Sequence, residues 1–222
     1  MIKLKNLTKT YEIGKNNTIK ALNGINLHIK EGELIIFRGH SGSGKSTILS
    51  LLAALSKPTS GEVIVEDKHI SKLPDNFASI YRRDNIGFIF QKYNLIQTLS
   101  VKENIILPLV PLNLDTQIVQ EKVKKIMEQF NIAHKAESIV KNLSGGEQQR
   151  VAIARANINN PKIILADEPT ANLDEKLSLH FIDILKEMKK LNKTIIVATH
   201  DPRFFNLDFV DREIKIEHGE LL

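Results

Sequence analysis

Short runs of β-branched and aliphatic residues recur along the chain at 34–37, 63–65, 86–90, 163–166, 194–198 and 213–216, with longer stretches of helical periodicity between them. That alternation predicts an α/β layout. The near-continuous apolar runs IILA and TIIVA suit strands covered on both faces of a parallel sheet, whereas MIKLKNL and IKALNGINLHI alternate as the strands of an antiparallel edge sheet do. Over 177–191, Leu177, Phe181, Ile184, Leu185, Met188 and Leu191 fall at spacings of three and four, which predicts a helix laying one apolar face on the sheet.

Between Gln91 and Leu143 the pattern changes. LSVKENIILPLVPLNL carries prolines at 108 and 111, and 116–130 reads as a helix with Ile118, Val119, Val123, Ile126, Met127 and Phe130 inward. With no strand run in it, the stretch reads as a mostly helical lobe inserted into the α/β core. The expected organisation is one domain over residues 1–222. Residues 1–90 and 160–222 form its core with the antiparallel edge, and about 91–159 form the helical part. No internal repeat or low-complexity segment interrupts it.

A chain of 222 residues with 42% hydrophobic content can bury a real core. No window approaches the roughly 18 apolar residues of a membrane span, and MIKLKNLTKTYEIG lacks the apolar centre of a secretion signal, so a cytosolic place is expected. The net charge of +5 arises from basic residues interleaved with 26 acidic ones. With no five-residue basic run, no tryptophan and three tyrosines, no nucleic-acid partner is expected. The absence of cysteine excludes disulfides and thiolate metal sites within this chain, so a metal must be held by oxygen or nitrogen.

The chemistry begins at GHSGSGKST, residues 39–47, which fits G-x-x-x-x-G-K-[ST], follows the apolar run LIIF, and opens a helix carrying Ile48, Leu49, Leu51 and Leu52. Gly39, Gly42 and Gly44 let successive backbone N–H groups turn inward, with His40, Ser41 and Ser43 between them, and the helix N-terminus adds partial positive charge. An anion fits there. Lys45 is expected on the β- and γ-phosphates, the Ser46 hydroxyl on magnesium, and Thr47 on a further phosphate oxygen.

Three strand ends supply the rest. In KIILADE, two carboxylates emerge where ligands of open α/β sheets sit, Asp167 as a magnesium ligand and Glu168 as the acceptor of a proton from attacking water. His200 follows the run TIIVAT, placed to meet the γ-phosphate and that water. Gln91 closes NIGFIF at the start of the helical lobe, where its amide is placed to touch magnesium or water. A second loop, LSGGEQQR at 143–150, has the physics of an anion site, with the Ser144 hydroxyl, the amides of Gly145 and Gly146 and then Glu147 opening a helix, but it has no lysine and no metal ligand. Such a loop makes sense if it completes a site on a second copy of the chain.

Over nearly its whole length, and with these motifs in order, the sequence resembles the ATP-binding cassette family. The resemblance implies a P-loop NTPase fold, mainly a parallel core sheet with an antiparallel β edge and an inserted α-helical subdomain. It also implies ATP hydrolysis with Mg2+, and a homodimer formed on ATP binding. It makes Tyr11 the residue stacked on adenine, Gln91 the loop coupled to the transport partner, and residues 143–147 the family signature. Asn172, Leu173 and Asp174 become the loop that communicates across the dimer, and His200 the switch histidine. Ala171 departs from the commoner glycine or serine while keeping a small side chain. Finer features, NIGFIFQKYNLIQTLSVKENIILPL and ILADEPTANLD, resemble the macrolide-efflux and lipoprotein-release subfamily. Separate transmembrane permease subunits and a position on the cytoplasmic face of the cell membrane follow from the resemblance. The work done is export or mechanical movement, with substrate and direction set by the membrane partner. Two alternatives remain at this stage. One is a soluble cassette ATPase of translation or DNA repair, although such chains have two cassettes or a long coiled-coil insertion. The other is a mechanical regulator of cell-wall enzymes.

Overall fold

The structure, a computed structural model, describes residues 1–14, 17–171 and 173–222. The chain opens with the long strands β1 (Ile2–Ile13) and β2 (Asn17–Ile29), then runs through β3 (Leu34–Arg38) into helix α1 (Lys45–Leu52). Strands β4 (Ser60–Val65) and β5 (Lys68–His69) lead to helix α2 (Asp75–Asn85) and strand β6 (Ile86–Ile89). Three helices follow, α3 (Val101–Ile106), α4 (Thr116–Gln129) and α5 (Gly145–Asn157). The chain closes with β7 (Ile163–Asp167), α6 (Glu175–Lys190), β8 (Thr194–Thr199), β9 (Arg212–Glu217) and β10 (Glu220–Leu221).

These strands form two sheets, β2-β1-β4-β5 and β10-β9-β3-β8-β7-β6. The first is antiparallel throughout; in the second, β9, β3, β8, β7 and β6 run parallel and β10 turns back on β9. Strand periodicity explains why the central runs are continuously apolar. Leu34, Ile36, Ile164, Ala166, Ile195 and Val197 point into one buried cluster, shared with α5 and α6. Their neighbours Ile35, Phe37, Ile163, Leu165, Ile196 and Ala198 point into the other, shared with α1 and the antiparallel sheet.

The stretch after Gln91 is helical as expected, with one isolated bridge, Ser100 to Ile139, outside the named strands among the described residues. Ser100 caps α3 in a reciprocal box with Glu103. Val123, Met127 and Phe130 of the α4 region belong to the same apolar cluster as Ile164 and Val197, so the helical part shares a core with the sheet.

Three details differ from the sequence reading. The run 63–65 belongs to β4 of the antiparallel sheet, not to the α/β core, because it pairs with β1 from Val63 opposite Leu4 to Val65 opposite Ile2. On α6 the inward face is Ser178, Phe181, Ile182, Leu185 and Met188, while Leu191 stands past the last turn and is 65% exposed. Ile118 is likewise exposed, near the start of α4 and ahead of the buried Val123, Ile126 and Met127.

Candidate active site

Strands β3, β7 and β8 are neighbours in the core sheet, and their C-terminal ends carry the site. The loop after β3 wraps a cleft of about 300 Å³ lined by Ser41 to Thr47 together with Ala21, Gln91, Glu168 and His200. Close approach of other backbone fixes that loop. A Cβ on Gly44, whose φ is +108, would lie 2.6 Å from the Ala21 carbonyl oxygen, and the Gly219 amide donates to the Ser43 carbonyl at 3.0 Å. The loop is thus clamped between β2 and the β9–β10 turn.

Lys45 is buried, and its ammonium donates to the carbonyls of Gly39 (2.7 Å) and His40 (3.1 Å) and pairs with Glu168 Oε1 at 3.3 Å. The other oxygen of that carboxylate, Oε2, lies 2.9 Å from His200 Nδ1 and accepts from the His200 amide and the Thr199 hydroxyl, each at 3.3 Å. Glu168 therefore spans the lysine of the loop and the histidine beyond β8. Its backbone sits at φ +43, a left-handed conformation that costs a non-glycine residue about 1–2 kcal/mol, and its amide is tied to the Ala198 carbonyl at 2.8 Å. Beside it, the Ser46 hydroxyl donates to Asp167 Oδ1 at 2.8 Å. Burial pushes the Asp167 carboxyl above the ordinary carboxylate range. The Ser46 bond and Lys45 oppose the shift, while the charge of Glu168 adds to it.

The residues fit a polyphosphate and its ion. Ser43 Oγ is buried in the loop without a hydrogen-bond partner, an orphan that a phosphate oxygen would satisfy. Among the described residues no cluster of three or more His, Cys, Asp or Glu could hold a metal. An ion here would take Ser46 and Asp167 oxygens, with Gln91 on the rim, and fill its shell from the phosphates, as magnesium does.

The family model described as ABC transporter matches residues 22–171 of this chain. The chain belongs to the ABC transporter family. It is 43% identical over 222 residues to an uncharacterised ABC transporter ATP-binding protein of Methanocaldococcus jannaschii, the alignment covering 100% of this chain and 98% of that one. A macrolide export ATP-binding/permease protein of Campylobacter jejuni is 41% identical over the same length, which is 34% of that longer protein. The structure of the ATP-binding cassette MJ0796, a dimer in a post-hydrolysis state bound to ADP and Pi, superposes with a TM-score of 0.92 at 42% identity, covering 100% of this chain and 96% of that one. This protein is accordingly an ATP-binding, ATP-hydrolysing cassette whose usual ion is Mg2+.

Within the cassette, not every predicted site residue lines the cleft. Residues 41–47, Gln91, Glu168 and His200 do; Gly39 and His40 present their carbonyls to Lys45, and Asp167 sits behind Ser46. Tyr11 is 40% exposed on β1, with the Lys9 ammonium 4.9 Å from its ring centre. It faces Ile19 across the pair and does not line the cleft; Ala21, at the β1–β2 irregularity two residues beyond Ile19, does. Ser144, Gly145, Gly146 and Glu147 stand apart at the start of α5. Ser144 caps that helix, and Glu147 Oε2 accepts from its amide at 2.8 Å, which holds the Glu147 carboxyl below its ordinary value. Asp174 caps α6 through the Leu177 amide at 2.9 Å, and Leu173 donates to the Thr170 carbonyl; Asn172 lies outside the described residues.

Sequence reasoning missed two groups. The Thr199 hydroxyl joins Glu168 to the Asp201 amide, and Asp201 in turn accepts from Thr170 at 2.7 Å and from Arg203. The signal available was only a polar residue closing a buried strand. Arg155 donates to the carbonyls of Tyr93 and Asn94, both at 2.6 Å, anchoring the turn that follows Gln91 to α5.

Proposed function

We propose that two copies of this chain pair head to tail, each nucleotide held between residues 39–47 of one copy and the Ser144, Gly145, Gly146 and Glu147 loop of the other. The position of that loop, outside the cleft and equipped as an anion-binding helix start, supports the reading, as does the dimeric relative. In this reading Lys45 holds the β- and γ-phosphates, Ser43 and Thr47 bind further oxygens, and Tyr11 stacks on the adenine. Ser46, Asp167 and Gln91 hold Mg2+, which would supply charge neutralisation at the phosphates. Glu168 takes the proton of the attacking water, while His200 orients the carboxylate and water. Leu173 and Asp174 carry the state of one site to the other.

The observation that carries this reading is the placement of Glu168, one oxygen on Lys45 and the other on His200, at the edge of the phosphate cleft. General base catalysis contributes roughly 100- to 10,000-fold. Glu168→Gln is therefore expected to keep ATP binding, lose at least about 100-fold in turnover, and accumulate an ATP-bound dimer on size exclusion. Undiminished phosphate release by this variant refutes the assignment. Lys45→Ala is expected instead to weaken nucleotide binding itself.

The partners in this reading are membrane permease subunits, joined at the face next to Gln91. A groove there, lined by Arg82, Phe88, Phe90, Asn94 and Arg155, carries the stacked Phe88–Phe90 pair. Residues 91–159 act as the arm that moves against the core of 1–90 and 160–222. The chain then sits on the cytoplasmic face of the membrane, and no helix of the described residues is long and apolar enough to cross it. The export or mechanical work of the macrolide-efflux and lipoprotein-release type is favoured by the similarity to macrolide export proteins. Co-purification from membranes with a subunit bearing a large extracytoplasmic domain supports it; recovery with ribosomes alone overturns it.

A further inference from the structure

We propose that Gln149 is a positioning residue for ATP hydrolysis, its side-chain amide fixing the backbone that follows Glu168 to the same helix that begins at Ser144. The inference rests on the reading of Glu168 as the base. Gln149 lies on α5, 3% exposed, with Gly146 and Ile153 on the same buried side. An amide buried at a place where a leucine would pack needs a partner. Its Nε2 donates to the carbonyl of Pro169 at 2.9 Å.

Pro169 is the residue after Glu168, and the constraint matters because Glu168 is not in a relaxed conformation. A left-handed φ persists only where surrounding structure over-determines it. On one side the Glu168 amide is held by Ala198, and its own carbonyl accepts from Ala171 at 3.2 Å. On the other side the Gln149 bond fixes the next peptide. Without it, the turn through Glu168 and Pro169 keeps its strain and loses a restraint, and the carboxylate drifts from Lys45 and His200. A further close approach packs α5 on α6, the helix that follows this turn, since a Cβ on Gly146 would lie 2.7 Å from the Leu177 side chain. Ser144 is five residues before Gln149, about 7.5 Å along the helix. A shift of α5 caused by engagement of Ser144 therefore reaches this chain's own Glu168 through Gln149.

The test is steady-state ATPase of the purified protein, and of its complex with membrane subunits, for two variants. Gln149→Met keeps length and volume but cannot donate. It is expected to lower kcat about tenfold, a barrier change of about 1.4 kcal/mol, with KM for ATP within twofold of wild type. Gln149→Glu regains a donor only when its buried carboxyl is protonated, so its kcat relative to wild type is expected to rise between about pH 8 and about pH 6. A Met variant with wild-type kcat, or one whose loss lies in KM, overturns the proposal. Should the Met variant fail to fold, a pH-independent ratio of Gln149→Glu to wild-type kcat overturns it instead. Glu168→Gln measured alongside separates the failures. If it is inactive while Gln149→Met is normal, Gln149 alone is misassigned. If it turns over normally, the base assignment fails and this inference with it.

Discussion

Replacing Arg155 by methionine isolates what holds the turn after Gln91. The guanidinium bridges α5 to two carbonyls, Tyr93 and Asn94, at 2.6 Å each, and both residues have left-handed φ, +59 and +47. No carboxylate pairs with Arg155 among the described residues, and burial holds its pKa below the ordinary arginine value, so these carbonyls carry its stabilisation. A hydrogen bond to a charged group contributes about 1.5–3 kcal/mol, but one of this pair is solvent-exposed, which cuts the sum to about 2 kcal/mol. Methionine preserves the apolar stem, so the loss isolates the polar head. Urea unfolding should then show a lower midpoint with unchanged slope, and for a chain of this size the melting temperature should fall by roughly 4–8 °C. Native-state hydrogen exchange should quicken locally at residues 91–96. Arg155→Lys, which can reach one carbonyl at a time, should recover about half. Wild-type stability together with unchanged exchange in that turn would refute the reasoning.

Two further outcomes follow from packing and burial. Gly87→Ala should destabilise by about 1–3 kcal/mol, because the added Cβ would lie 2.5 Å from the Ala156 carbonyl and 2.8 Å from Ile164, and denaturant titration measures it. Tyr81 donates to the Leu52 carbonyl at 3.0 Å, and burial pushes its phenol well above the ordinary tyrosine range. The folded state thus keeps a proton that the unfolded chain releases near pH 10, so stability is lost as pH rises beyond that value. Tyr81→Phe should flatten that alkaline loss, read from melting temperatures across the alkaline range.

Elements with strong periodicity were legible in the sequence. Strands β3, β7 and β8 read as buried because both of their faces are covered, and the phosphate loop announced itself through glycine spacing next to lysine. The run 63–65 was not assignable, since three apolar residues look alike in either sheet and only pairing with β1 decides. Leu191 and Ile118 match their helical patterns yet lie near helix ends, where the pattern continues and the neighbours do not. In the site, residues that act through backbone were invisible. Gln149 and Arg155 sit in an ordinary amphipathic helix, and their partners are main-chain carbonyls, which no side-chain pattern records. The backbone angle of Glu168 was equally hidden.

The clamp on the phosphate loop has a consequence for how the protein comes into being. Ala21 and Gly219 both press on this loop, so its shape depends on segments made nearly two hundred residues apart. During synthesis at roughly 5–20 residues per second, the loop is made well before the β9–β10 turn and takes its clamped form only once that turn has followed it. The clamped form of the phosphate loop thus depends on both ends of this stretch of chain.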